Sequence, residues 1–142
     1  MKFRSLLAPA FLYFAIVFAA GFLLGTLRVM VIAPATGDEN AILIELPVML
    51  AIAYAAAMFC VRRFQVPSRI GARIAMGSLA FLLLMTAEIV LGVLLVDRTV
   101  MDQLAFVVSG ENRFGFAAQI VFALMPLILL RQETVRRRLS GT

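Results

Sequence analysis

Four apolar stretches, near Leu6–Ala33, Ala41–Val61, Ile74–Val96 and Phe114–Leu130, constrain this chain more than anything else in it. Each is long enough to cross a bilayer, which takes about 20 helical residues. In lipid the backbone must satisfy its own polar groups, which leaves only helices and closed barrels. The runs are continuous rather than alternating, so a barrel is excluded. Hydrophobic residues make up 63% of the 142 positions, against roughly half in soluble domains. The expected fold is therefore all-α and integral to the membrane. The short connections predict one domain over residues 1–142, with four transmembrane helices in a compact antiparallel bundle. The basic start (Lys2, Arg4) and Ala19-Ala20-Gly21 give the first stretch a signal-peptide look. Its apolar run continues past the usual core of such peptides, which predicts a retained helix.

Charge sets the expected orientation. Ten basic residues fall on one side: Lys2, Arg4, Arg62, Arg63, Arg69, Arg73, Arg131, Arg136, Arg137 and Arg138. The opposite connections hold Arg98 and Arg113 with Asp38, Glu39, Asp97, Asp102 and Glu111. The positive-inside rule then places both termini in the cytoplasm, in a bacterial inner membrane. The formal net charge of +5 reports insertion and attraction to anionic headgroups rather than nucleic-acid binding.

Against that frame, Arg28, Glu45 and Glu88 stand out as ionisable residues inside apolar stretches. Charges at membrane depth are expensive and mark a partner, a wet cavity or a function. At 1.5 Å per residue, Arg28 lies about 9 Å, Glu45 about 7–8 Å and Glu88 about 12–14 Å below the outer end of its span. Gln119 falls about 8 Å down the fourth span. All four candidate polar residues belong to the outer half.

The loop Pro34–Asn40 is short enough for Arg28 and Glu45 to meet across it, and a desolvated guanidinium needs a carboxylate. Gly21 and Gly25 share the Arg28 face in the spacing that lets membrane helices approach closely. Arg28 can also snorkel to the outer headgroups. Glu88 has no basic neighbour in its own span. An unpaired carboxyl there can carry a proton, hold a cation or bond neighbouring helices. If Arg28 reached both acids, the three would form one coupled cluster. Pro47, two residues after Glu45, is a possible kink that frees a backbone carbonyl. The simpler expectation places it in the first turns of its helix, where proline is tolerated. Between spans three and four, Thr99 and Asp102 have the spacing of a helix-starting capping arrangement. They predict a short interfacial helix ended by Ser109-Gly110.

The chain has no histidine and one cysteine, Cys60. That removes histidine-ligated metal or haem and Ser–His or Cys–His catalysis from its own residues. It also removes internal disulfides. No Walker loop or dinucleotide fingerprint is present, and no catalytic, metal or cofactor residues are assigned. The first expectation for function is an accessory or interaction subunit, with the bilayer and a larger complex or a homo-oligomer as partners. The second is an oligomeric proton- or cation-coupled transporter using Glu88 and Glu45. The third is an enzyme acting on a lipid or isoprenoid through the same carboxylates.

Overall fold

The computed structural model describes Arg4–Gly141 and contains helices and no strands among those residues. Lys2, counted above among the basic residues, lies outside the described residues. Helix α1 (Arg4–Leu27) passes through one π-helical turn, Arg28–Ile32, into the short α2 (Ala33–Thr36). Then come α3 (Asp38–Arg63), α4 (Ile70–Leu95), the short α5 (Val100–Val107), a 3-10 turn at Gly110–Asn112, and α6 (Arg113–Ser140). Four rods are long and apolar enough to cross a membrane: Ser5–Thr36, Asp38–Arg63, Ile70–Leu95 and Gly110–Ser140.

The helices outrun the apolar stretches because polar residues continue them at both ends. Gly37 breaks the first rod from α3 at a positive φ of 84°, a conformation that costs glycine nothing. Asp38 and Glu39 then occupy the first turn of α3, where negative charge complements the helix dipole. This early start corrects the expectation for Pro47. It lies well inside α3 rather than in its opening turns, so the Leu43 carbonyl loses its amide partner. Likewise α4 starts at Ile70 and draws Arg73, read above as a connection residue, into its first turn.

Around the bundle, α1 packs on α3 and α4, and α6 packs on the same two helices. The consecutive helices α3 and α4 therefore sit across from each other. The buried core occupies one half of the molecule. It takes Leu6, Ala10, Tyr13 and Val17 from α1, and Ala53, Ala57 and Cys60 from α3. Met76 and Ala80 of α4 and Phe122, Met125 and Leu129 of α6 complete it. Small residues let the backbones close up, since in lipid close packing does the work that the hydrophobic effect does in water. At Gly77 the approach is extreme: a Cβ there would run into the Ala123 backbone.

One contact ties this half together. Pro126, fully buried inside α6, has no N–H to give the Phe122 carbonyl. Tyr13 replaces it, its hydroxyl donating to Phe122 O at 2.8 Å. The Tyr13 and Phe122 rings stack at 4.5 Å between centroids. At the end of the same half, Arg73 is only 1% exposed, and its Nη2 donates to Glu133 Oε2 at 3.0 Å and Oε1 at 3.3 Å. Arg73 Nε donates to Pro67 O at 3.3 Å, which holds the α3–α4 connection against the bundle.

Candidate ligand cavity

The other half of the bundle is hollow. A cavity of about 750 Å³ is lined by all four rods and by α5. Arg28, Glu45, Glu88 and Gln119 all line it, and they meet as two pairs.

In the first pair, Arg28 Nε donates to Glu45 Oε2 at 2.6 Å, with the side chains 28% and 16% exposed. Only the Nε edge is used: among the described residues the two terminal guanidinium nitrogens make no hydrogen bond. Arg28 opens the π turn, in which the Ala33 N–H bonds back to Arg28 O. Pro34 gives a reason for the wider turn. It has no N–H, and its ring crowds the carbonyl four residues back, that of Met30. Such turns recur at functional sites.

In the second pair, Gln119 Nε2 donates to both Glu88 oxygens at 2.7 Å. Glu88 thus takes its hydrogen bonds from α6, and no ion pair joins it to Arg28 among the described residues. The three-membered cluster is replaced by two separate pairs on one cavity. Gln119 Oε1 is buried and has no hydrogen-bond partner. A buried acceptor left unmet costs about 1–3 kcal/mol, and this one is sealed within the helix packing rather than open to the cavity.

A roof covers the end of this half. Thr99 and Asp102 start α5 with a reciprocal capping box. Gln103, 8% exposed, lies across Gly92 of α4, where a Cβ would collide with its side chain. Arg98 Nη1 donates to Gln103 Oε1 at 3.3 Å, and its guanidinium stacks 4.2 Å above the Phe106 ring centroid. Asn112 Nδ2 donates to Val107 O at 3.1 Å while its side chain occupies the space beside Gly115. Sequence reasoning missed Arg98, Gln103 and Asn112 as cavity residues. The available signal was Gly92 and Gly115, single glycines in apolar runs with no turn to make. Gly21 and Gly25 also line the cavity. The Gly21 Cβ position is in ordinary contact with Met49 at 3.5 Å, whereas nothing lies within 4 Å of the Gly25 one.

The floor is formed by Val17, Ala53, Leu84 and Phe122, which also belong to the packed core. The cavity therefore ends where the close packing begins. Its size, apolar walls and few convergent polar groups are those of small-molecule sites.

Comparison of the chain with family profiles, curated proteins and solved structures gave no match. The chain is all-helical among the described residues, with four helices long and apolar enough to span a membrane, the composition of a multi-pass membrane protein.

Proposed function

We propose that the chain is a small accessory protein of the bacterial inner membrane that holds an amphiphilic ligand in the outer half of an antiparallel bundle. Both termini face the cytoplasm in this reading. The observation that carries it is the polar-ringed, apolar-walled cavity of about 750 Å³. Its volume lies within the range of sites that enclose a whole small molecule. Orientation follows from the basic residues at the packed end, Arg62, Arg63, Arg69 and Arg136–Arg138. Transport by a single chain is disfavoured, because Tyr13, Met76 and Phe122 fill the half through which a route would have to pass.

The test is native mass spectrometry of the full chain released from membranes in mild detergent. A noncovalent lipid-sized mass should accompany the wild type and be lost in Gly25→Phe. That variant places a ring in open space within the cavity, and its melting temperature should stay close to the wild type's. A wild-type chain that carries no such mass and takes up no added amphiphile sinks the proposal. A second reading has one observation in its favour: both carboxylates, Glu45 and Glu88, line the same cavity. Acid–base chemistry on the bound lipid would show as turnover abolished by Glu88→Gln while binding persists.

A further inference from the structure

The lining restricts the chemistry of the occupant, on the reading that the cavity binds an amphiphile. We infer that its head is a monoanionic oxyanion, a phosphodiester or a carboxylate, held at the roofed end by the free guanidinium edges of Arg28 and Arg98.

Two open cations argue first. Arg28 gives Glu45 only its Nε edge, which leaves both terminal nitrogens without a partner. Arg98 gives Nη1 to Gln103 and lays its plane over the Phe106 ring. Its Nε and Nη2 make no hydrogen bond, and no acid pairs with it among the described residues. The buried side-chain atoms left without a partner there are Arg73 Nη1 and Gln119 Oε1. The free nitrogens of Arg28 and Arg98 are therefore accessible, on two half-buried side chains that line the cavity. A planar guanidinium presents two adjacent N–H groups to one oxyanion, and such charge-assisted bonds are about twice as strong as neutral ones.

Placement argues second. Arg98 is fixed by the way α4 ends. Asp97 takes a left-handed φ of 51°, uncommon outside glycine and most accessible to Asn and Asp. The Arg98 N–H then donates back to Gly92 O at 3.3 Å, the closing bond of a helix-ending turn. That turn holds Arg98 at the last turn of α4, beside Gln103 of the roof. Arg28 reaches the same end from α1, following the floor residue Val17 by roughly 16 Å of helix. Glu88 is only roughly 6 Å of helix beyond the floor residue Leu84. The cations thus lie at the roofed end, and the apolar walls below, down to Val17, Leu84 and Phe122, take the chain.

Charge argues third. At the roofed end Glu45 offsets Arg28, and Glu111 is exposed, where solvent screens it. Arg98 remains as one uncompensated positive charge on a partly desolvated wall. A single negative charge balances it, whereas a neutral head leaves it unmet and an ammonium head adds to it. Glu88 lies well below this level, bonded to Gln119, where distance weakens its repulsion of the head.

The experiment uses the full chain in mild detergent, stripped of retained lipid. Hexadecyl methyl phosphate, palmitate, hexadecanol and hexadecyltrimethylammonium compete for occupancy, read by native mass spectrometry. Both anions should bind the wild type about tenfold or more tighter than the alcohol, the worth of one charge-assisted hydrogen bond. The ammonium should bind weakest. The order of the two anions identifies the source: phosphate first points to a membrane phospholipid, palmitate first to a free fatty acid. In Arg98→Gln the anion preference should largely disappear while hexadecanol binding holds. Alcohol or ammonium binding equal to that of the anions in the wild type overturns the inference, and that comparison depends on no variant's folding. An anion preference that survives both Arg98→Gln and Arg28→Gln overturns it as well. Anions that bind Gly25→Phe as tightly as the wild type sit on the outside of the bundle, which also overturns it. If Gly25→Phe abolishes hexadecanol uptake while the anions show no preference, the cavity reading stands and only the head chemistry is wrong. If no probe binds, the cavity reading itself falls.

Discussion

The two halves of the bundle use polar groups differently. In the packed half, they mostly close gaps that the helices themselves create. Tyr13 meets the carbonyl released by Pro126, and Arg73 clamps Glu133 and the Pro67 carbonyl while its buried Nη1 stays without a partner. In the hollow half, Arg28 and Glu45 pair through one edge each, and Gln119 keeps an unmet oxygen. Both halves come from the same four helices at similar apolarity, so hydropathy alone does not separate them. The difference is steric. Glycine and alanine face their neighbours' backbones in one half, as Gly77 faces Ala123. In the other, long polar side chains bridge the helices around an open space and a roof helix covers the end.

Substitutions that attack the packed half should have the largest effect. Gly77→Val forces a branched side chain into the Ala123 backbone, which cannot rotate away. Overpacking of this kind costs about 3 kcal/mol or more. The expected result is loss of folded protein, seen as aggregation on detergent extraction. A wild-type melting curve would show that the two helices are free to separate and that the halves do not differ in rigidity.

Next in size is the clamp. Glu133→Gln leaves Arg73, 1% exposed, without its carboxylate. Breaking a buried pair from one side costs about 3–5 kcal/mol. Glu133 is itself 37% exposed, and solvent screening reduces this to about 2 kcal/mol. Arg73→Met removes the stranded charge together with its need for a partner and should be the milder of the two. Reversible unfolding in mixed micelles ranks them. The reverse order would mean that Arg73 stabilises through its packing, not its charge.

Tyr13→Phe follows. It keeps the stack on Phe122 but strands the Phe122 carbonyl that Pro126 cannot serve. About 1–2 kcal/mol is expected. Adding Pro126→Ala, which restores an amide to that carbonyl, should recover part of the loss. Absence of any coupling in this double-mutant cycle would break the proposed link between proline and hydroxyl.

How much of this was legible beforehand varies by residue. The four spans were, because continuous apolar runs admit one solution in lipid. The start of α5 was, because Thr99 and Asp102 carry their capping geometry in their spacing. Pro47 was misplaced because the helix start depends on Gly37 and the acidic first turn rather than on where apolarity begins. Arg73 was hidden for the same reason: four residues at the head of α4 read as connection while they fold as helix. The pairing of Glu88 with Gln119, and the position of α3 opposite α4, are non-local. Neither leaves a trace in the local sequence. The π turn had Pro34 as a local cause, yet proline after a long apolar run signals a helix end just as well.

In the hollow half the same logic predicts small effects on stability and larger ones on occupancy. Arg28→Gln removes a partly exposed pair and should cost about 1 kcal/mol or less. Retention of the bound amphiphile should fall by more than that stability loss accounts for, because the cavity ring then carries an unbalanced Glu45. Equal losses of stability and occupancy would make Arg28 a structural residue only.

The smallest expected change is also the most diagnostic, because its sign differs between the halves. At Gly25 nothing lies within 4 Å of a Cβ, and the residue lies within the helix α1. Glycine inside a helix is less stable than alanine by roughly 0.5–1 kcal/mol, since it loses more backbone freedom on folding. Gly25→Ala should therefore raise the unfolding free energy slightly. The chemically identical change at Gly77 should lower it, since even a methyl group meets the Ala123 backbone there. The comparison cancels the intrinsic helix preference and leaves only the space around each position. If both changes destabilise, the hollow half is packed in the membrane and the cavity is filled by the bundle itself. If the signs differ, the open space at Gly25 belongs to the folded protein and remains available to a ligand.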